Sequence, residues 1–166
     1  MMTGILLLSF LLTGCGSQEP QTGKKMSMYY INTAETKVEV HEQYLNTKTL
    51  DEQLDETMRY LSTTPEKLEY KAPLDMGFRV LDYEVEDGKL LINVDKAYSE
   101  LSPTTEVLVR AAIVRTLTQL PNVKYVGITV EDSQLYDNAG EMVGWMNADQ
   151  FINNDGNEIN TYELVK

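Results

Sequence analysis

Alternating hydrophobic and polar residues predict β-strands in three parts of the chain. The segments 28–32 and 37–44 flank Thr33-Ala34-Glu35-Thr36 and form the first predicted hairpin. Residues 81–94 contain a second predicted hairpin, and residues 126–130 alternate as a single strand. These segments supply the β part of the predicted fold.

The second hairpin turns at Asp87-Gly88, a dipeptide that tolerates the positive φ angles of a type I′ turn. A two-residue loop at this point sets the register of the two strands. The register pairs Val85 with Leu90, Tyr83 with Ile92, and Leu81 with Val94. Since all of these residues are apolar, we expect their side chains to share one face of a sheet.

Two other segments have the 3.6-residue hydrophobic period of an α-helix. The first begins at Thr49-Leu50-Asp51-Glu52, a capping-box sequence, and ends before Pro65. Its apolar stripe comprises Leu50, Leu54, Met58 and Leu61. The second is predicted for residues 104–120, with Ser102-Pro103 as its N-terminal cap and Pro121-Asn122 as its stop.

The order of these elements predicts an α+β fold. We expect a small two-layer sandwich with an αββαβ core, preceded by an extra β-hairpin. After residue 140 we expect a short strand near Met142 and a turn or short helix around Asp149. This last part is predicted to bury Trp145, Phe151 and Ile152.

An apolar run at residues 5–12 has the length of the hydrophobic region of a secretory signal and is too short to span a bilayer as a helix. It ends in Leu12-Thr13-Gly14-Cys15, which resembles the bacterial lipobox. This resemblance implies cleavage between Gly14 and Cys15, lipidation of Cys15, and attachment to the outer face of the cell membrane. The alternative is a buried N-terminal segment whose cysteine is incidental.

The chain is therefore predicted to have three parts. Residues 1–14 form a lipoprotein signal peptide, residues 15–26 a flexible tether, and residues 27–166 one folded domain. The tether is predicted from Gly, Ser, Gln and Pro residues without an apolar period.

The formal net charge of −12 argues against a nucleic-acid partner, because neutralising phosphates requires a basic surface. It also argues against adhesion of the domain to anionic lipid, so the acyl chains on Cys15 would supply the membrane attachment. The chain has one histidine, His41, and one cysteine. These counts exclude Cys–His nucleophiles and sites rich in His or Cys ligands, and we predict no catalytic, metal or cofactor-binding residue.

Carboxylate pairs are the remaining candidates for catalysis, because glycoside hydrolysis requires only two acids. The candidate acids are predicted to face solvent: Asp51, Glu52, Asp55, Glu56, Glu84 and Glu86. The segment 153–158 is rich in Asn and Asp, but with Gly156 at position six of an EF-hand, Phe151 and Tyr162 would occupy positions that need carboxylates. An Asn-Gly-rich turn is the better interpretation.

Ten tyrosines are many for this length. Half-buried strand positions are the favoured interpretation, and an exposed carbohydrate- or protein-binding surface is the alternative. The residues in question are Tyr29, Tyr30, Tyr44, Tyr60, Tyr70 and Tyr98.

Several segments together resemble the GerMN domain of bacterial sporulation and germination lipoproteins. They are Tyr29-Tyr30-Ile31-Asn32, the hairpin 85–95, the helix segment 110–123, and Gly144-Trp145-Met146 followed by Phe151-Ile152. The resemblance implies a fold related to the ring-building motif and a non-enzymatic role in assembly at the cell envelope. It implies envelope or sporulation proteins or peptidoglycan as partners, and it is compatible with a homo-oligomer. An accessory wall hydrolase or ligand-binding lipoprotein is the alternative.

Overall fold

A computed structural model describes residues 23–65, 69–137 and 139–151. Its strands and α-helices follow in the order β1 (Lys24–Asn32), β2 (Val38–Leu45), α1 (Leu50–Leu61), β3 (Tyr70–Lys71), β4 (Val80–Glu86), β5 (Lys89–Val94), α2 (Pro103–Leu117), β6 (Tyr125–Val130) and β7 (Ser133–Gln134). Short 3₁₀ helices span Lys96–Glu100 and Ala148–Gln150.

The strands form two sheets, with the orders β2-β1-β3 and β4-β5-β6-β7. All neighbouring strands are antiparallel except β5 and β6, which are parallel and connected through α2. The predicted α+β fold, its two hairpins and the strand 126–130 are confirmed. β1 begins at Lys24, so residues 24–26 belong to a strand and not to the predicted tether, and Met26 is buried.

The β4–β5 hairpin has the predicted turn and register over most of its length. Asp87 and Gly88 have φ angles of 49° and 80°, and Val85 pairs with Leu90. The predicted pairing of Leu81 with Val94 is wrong, because a bulge between residues 80 and 82 pairs Val80 with Val94 instead. An extra residue in one strand reverses the alternation beyond it, and Leu81 is accordingly 48 % exposed.

Helix α1 begins with the predicted capping box, in which the Thr49 hydroxyl accepts from the backbone N–H of Glu52. The prediction that Glu56 faces solvent is wrong, since it is only 5 % exposed. Its Oε2 accepts hydrogen bonds from the backbone N–H groups of Asn46 and Thr47 at 3.0 and 3.2 Å and from the Thr47 hydroxyl at 2.7 Å. This carboxylate therefore fixes the loop between β2 and α1.

Helix α2 begins at the predicted Ser102-Pro103 cap but ends at Leu117, earlier than the predicted residue 120. It contacts strands of both sheets, which buries it over most of its circumference. Its buried residues are Thr105, Leu108, Val109, Arg110, Ala111, Ala112, Ile113, Val114, Thr116 and Leu117.

Arg110 is charged but lies in this buried part of α2, with 2 % exposure. Its Nε lies 2.6 Å from Glu106 Oε1, and its Nη2 donates to Glu106 Oε2 at 2.8 Å. The hydroxyl of Tyr98 also donates to Glu106 at 3.0 Å. Burial, together with the neighbouring carboxylate, raises the pKa of Tyr98 well above its usual value. Glu106 therefore neutralises the charge of Arg110 within the core.

The C-terminal end of α2 is bound to the free edge of β1. β3 pairs only with Ile31 and Asn32, and no other strand of the described part of the chain pairs with the rest of that edge. The side-chain amide of Gln119 accepts from the N–H of Ser27 at 3.0 Å and donates to its carbonyl at 2.7 Å, as a neighbouring strand would. The Thr116 hydroxyl accepts from the N–H of Tyr29. The hydrophobic period that predicts a helix over residues 104–120 does not reveal this role of Gln119.

The tip of the first hairpin is bound to the start of α2 through Glu35, whose φ is 54°. Its carboxylate pairs with Lys71 and accepts from the Thr105 hydroxyl at 2.6 Å. These bonds hold the pKa of Glu35 below its usual value, with the Lys71 bond the larger cause. The first sheet and α2 are therefore joined at both ends of the helix.

Among the described residues no helix is both long enough and apolar enough to cross a membrane. Phe151 is buried, as predicted, and Asn147 caps the 3₁₀ helix at Ala148–Gln150. Met142 forms an isolated bridge with Tyr136 and not the predicted short strand. Ile152 and the segment 153–158 lie outside the described residues.

Candidate functional site

The four-stranded sheet has one face toward the core and one toward solvent. Leu90 and Ile92 of β5 are fully buried, so the alternate residues of that strand lie on the outer face. Register places three rows of neighbours there: Glu86 with Lys89 and Tyr125, Glu84 with Leu91 and Gly127, and Asp82 with Asn93 and Thr129. We call this surface the outer face.

Trp145 lies on the outer face, against Gly127. A Cβ added to Gly127 would lie 2.8 Å from Trp145 Cζ3 and 2.9 Å from Cε3, so only glycine permits this approach. The indole is positioned by a bridge between Val126 and Met146, each of which donates its N–H to the other's carbonyl at 2.8 Å. Lys89 Nζ stands 5.3 Å from the ring centroid, within the range of a cation–π contact.

The prediction that Trp145 is buried is wrong, because its side chain is 42 % exposed. Its neighbour Met146 takes the inward position beside Val126 and is 3 % exposed. Successive residues of an extended chain point to opposite sides, so Trp145 must then face outward.

A groove of about 160 Å³ runs along Trp145. Its lining residues are Leu91, Gly127, Ile128, Thr129, Gln134, Met142, Val143, Gly144 and Trp145. Gln134 donates from its side-chain amide to the Val143 carbonyl at 2.8 Å, which ties the segment 142–145 to β7. The groove is mostly apolar, with a hydroxyl and an amide at one side.

Large exposed apolar side chains concentrate around this groove. Of the six in the described part of the chain, four line or adjoin the groove: Tyr125, Tyr136, Met142 and Trp145. Met142, at 63 % exposure, lies opposite Tyr136 in the bridge. A monomeric surface rarely concentrates apolar side chains without a binding role. This makes the groove the best candidate for an interaction site.

One side of the outer face is acidic. Asp82, Glu84 and Glu86 project from β4 at alternate positions, and all three are exposed. Within the described residues, no ion pair involves these carboxylates, and Lys89 is the one cation in the three rows. The spacing of about 7 Å between alternate residues is less than a Debye length at physiological salt. The three charges therefore reinforce one another.

Two carboxylates converge beside the groove but do not line it. Asn93 donates from its side-chain NH₂ group to Asp82 at 3.0 Å and to Asp132 at 2.7 Å, and its side-chain oxygen Oδ1 accepts from the backbone N–H of Asp132. Both acids are exposed. An amide inserted between two solvated carboxylates stabilises the strand ends and offers no enclosed space for a scissile bond, so this pair does not make a hydrolase site.

The other candidate acids are mostly where the sequence places them. Asp51, Glu52 and Asp55 are exposed on α1, while Glu84 and Glu86 are exposed on β4. His41 is partly buried on β2. No cluster of three or more His, Cys, Asp or Glu side chains suited to a metal ion occurs among the described residues.

The tyrosines divide between core and surface. Tyr30 and Tyr98 are buried, and Tyr30 stacks on Tyr70 with ring centroids 6.3 Å apart. The guanidinium of Arg115 lies 4.3 Å from the ring centroid of Tyr29. The predicted half-buried strand positions are confirmed for Tyr29, Tyr44 and Tyr70. Tyr60 is instead half-buried on α1, and Tyr98 is fully buried in the 3₁₀ helix Lys96–Glu100. The exposed aromatic surface is formed by other residues, Tyr125 and Tyr136 with Trp145.

A family described as "Germane: Sporulation and spore germination" matches residues 27–136, more than half of the chain. The chain belongs to the Germane family. No curated protein sequence matches it significantly. The match covers both hairpins, α2 and β6, and it ends before Trp145.

Two solved structures from Bacillus subtilis confirm the fold. The tandem GerMN domains of the sporulation protein GerM match with 18 % identity and a TM-score of 0.54, covering 81 % of this chain and 49 % of that one. The first GerMN domain of GerM alone matches with 14 % identity and a TM-score of 0.55, covering 73 % of this chain and 94 % of that domain. This Germane chain thus spans about half the length of the tandem structure.

Sequence reasoning identifies the segment Gly144-Trp145-Met146 but not its role. A weak signal for the groove exists in Gly127, a glycine in the middle of a predicted strand, since such a residue often marks the close approach of another group. Nothing in the sequence links Gly127 to Trp145, because the contact joins segments far apart in the chain.

Replacing Gly127 with alanine should displace the indole of Trp145 from the outer face. Trp145 is the only tryptophan, so its fluorescence reports on this position alone. We expect a red-shifted emission in Gly127→Ala, with stability changed by no more than about 1 kcal/mol because the partly exposed ring can move away. Gly144→Ala is the matched control, since no atom lies within 4 Å of its added Cβ. Unchanged emission in Gly127→Ala would show that the indole is not seated on Gly127.

Proposed function

We propose that this Germane protein is a lipid-anchored, non-catalytic envelope protein that acts as an interaction and assembly module in sporulation or germination. The exposed Trp145 groove is the observation that carries the interaction role. Family membership supports the sporulation or germination setting. The partner class is an envelope or sporulation protein that docks on the outer face.

The absence of suitable chemistry in the described residues supports a binding role over an enzymatic one. The groove is lined by apolar and neutral polar side chains, while nucleophile–base pairs and oriented acids occur nowhere along its described lining. A binding surface needs only what the groove offers, namely an aromatic anchor with adjoining polar groups.

The lipid anchor is supported by the lipobox-like sequence ending at Cys15, the only cysteine. Strand β1 begins at Lys24, so residues 16–23 separate Cys15 from the folded domain. A chain of this length spans at most about 29 Å when fully extended. The domain would therefore act close to the outer face of the membrane.

Replacing Cys15 with serine should release the protein from the membrane fraction, because serine does not accept the diacylglycerol. The measurement is fractionation of cells with an immunoblot, and the variant should also retain its uncleaved signal. The double variant Thr13→Ala/Gly14→Ala is the control, since it keeps small residues before the cysteine. If the Cys15→Ser protein remains membrane-bound after washing, lipid on this cysteine is not the anchor.

Replacing Trp145 with alanine should abolish co-purification of envelope proteins with the tagged chain solubilised from its native membranes. The loss of a central aromatic anchor typically costs 2 kcal/mol or more in binding, about thirtyfold in affinity. Val40→Ala is the matched control, because Val40 is 47 % exposed on β2, in the other sheet. Equal recovery of partners by the two variants would place the interaction elsewhere.

A further inference from the structure

We propose that the outer face binds an extended, basic segment of a partner protein. The apolar part of that segment would lie on Trp145, and its cationic side chains would reach Asp82, Glu84 and Glu86. This inference rests on the proposed interaction function and specifies the chemistry of the partner at the same site.

The outer face is complementary in charge to a basic segment. The three β4 carboxylates are exposed on one face, without an ion-pair partner in the described part of the chain. The whole chain carries a net charge of −12, which adds a long-range attraction for cations. An anionic polymer would be repelled by the same surface.

The three carboxylates are spaced like alternate side chains of an extended segment. Asp82, Glu84 and Glu86 occupy alternate positions of a strand, so they repeat about every 7 Å. An extended segment presents alternate side chains on one side with the same repeat. Lysines or arginines at every second position could therefore face the three carboxylates in register.

The groove provides an apolar surface next to the acidic strand. Leu91 lies on β5 between Glu84 and Gly127, so it forms an apolar bridge from the acidic strand to the indole. The aliphatic stem of a lysine or arginine can cover such a surface while its charged end reaches a carboxylate. Lys89 already stands over the Trp145 ring, which shows that the indole accommodates an ammonium group.

Lys89 should oppose the binding of a basic segment. It is the one cation in the three rows of the outer face, and it would compete with a basic ligand for Trp145. Removing its charge should therefore strengthen the binding of a basic segment.

The experiment is a titration of the full chain with a capped Lys-Thr-Lys-Thr-Lys peptide, followed through the emission of Trp145. We expect a saturable change that weakens as salt rises, and no change with a Glu-Thr-Glu-Thr-Glu peptide. Glu84→Gln/Glu86→Gln should weaken the apparent affinity about fivefold, as expected for two charges at a binding rim. Lys89→Gln should strengthen it.

The matched control is Glu42→Gln/Asp51→Asn, which removes the same charge from exposed positions on β2 and α1 and should leave the affinity within about twofold of the original. Equal weakening in both double variants would overturn the proposal, because only net charge would then matter. No response to the lysine peptide, or saturable binding of chitotriose in its place, would overturn it too. If Trp145→Ala still abolishes co-purification, the proposed function stands while the basic partner is rejected.

Discussion

The burial of α2 between the two sheets is the constraint on which the rest of the structure depends. The helix is apolar over most of its circumference, and its one buried cation, Arg110, is paired with Glu106 within the same helix. Such a helix must be covered on several sides, because exposing it would leave apolar surface in water. Both sheets meet this requirement with their apolar residues.

The outer face is free for another use because the inner faces are committed to α2. Its centre is built around Gly127, where the missing Cβ lets the indole of Trp145 approach the strand. Met146 anchors the same segment in the core, so the exposed Trp145 is held by a buried neighbour. The result is a preformed aromatic surface, which loses little conformational entropy when a partner binds.

Local signals in the sequence predict the parts of the fold that local chemistry determines. The capping box at Thr49, the cap at Ser102 and the turn at Asp87-Gly88 each need only neighbouring residues, and all three are found where they are predicted. Two features that depend on contacts with other segments are not predicted by local signals. Glu56 is buried because the β2–α1 loop needs an acceptor, and Leu81 is exposed because of a bulge.

The Trp145 side of the candidate site also depends on contacts between separate segments of the chain. Trp145 has the sequence context of a core residue, and its exposure follows from the bridge between Val126 and Met146, which composition and periodicity do not reveal. The acidic side of the site is better predicted, since alternation alone places Glu84 and Glu86 away from the core. What alternation does not show is that these acids share a face with the indole.

The most direct test of the interaction role is photo-crosslinking in the producing cells. A photoreactive amino acid placed at Met142 lies beside the groove and leaves Trp145 intact, while one placed at Val40 samples an exposed position on the other sheet. We predict adducts with an envelope protein from position 142 and none from position 40. Adducts from position 40 alone, or from neither position, would contradict the assignment of the groove as the interaction surface.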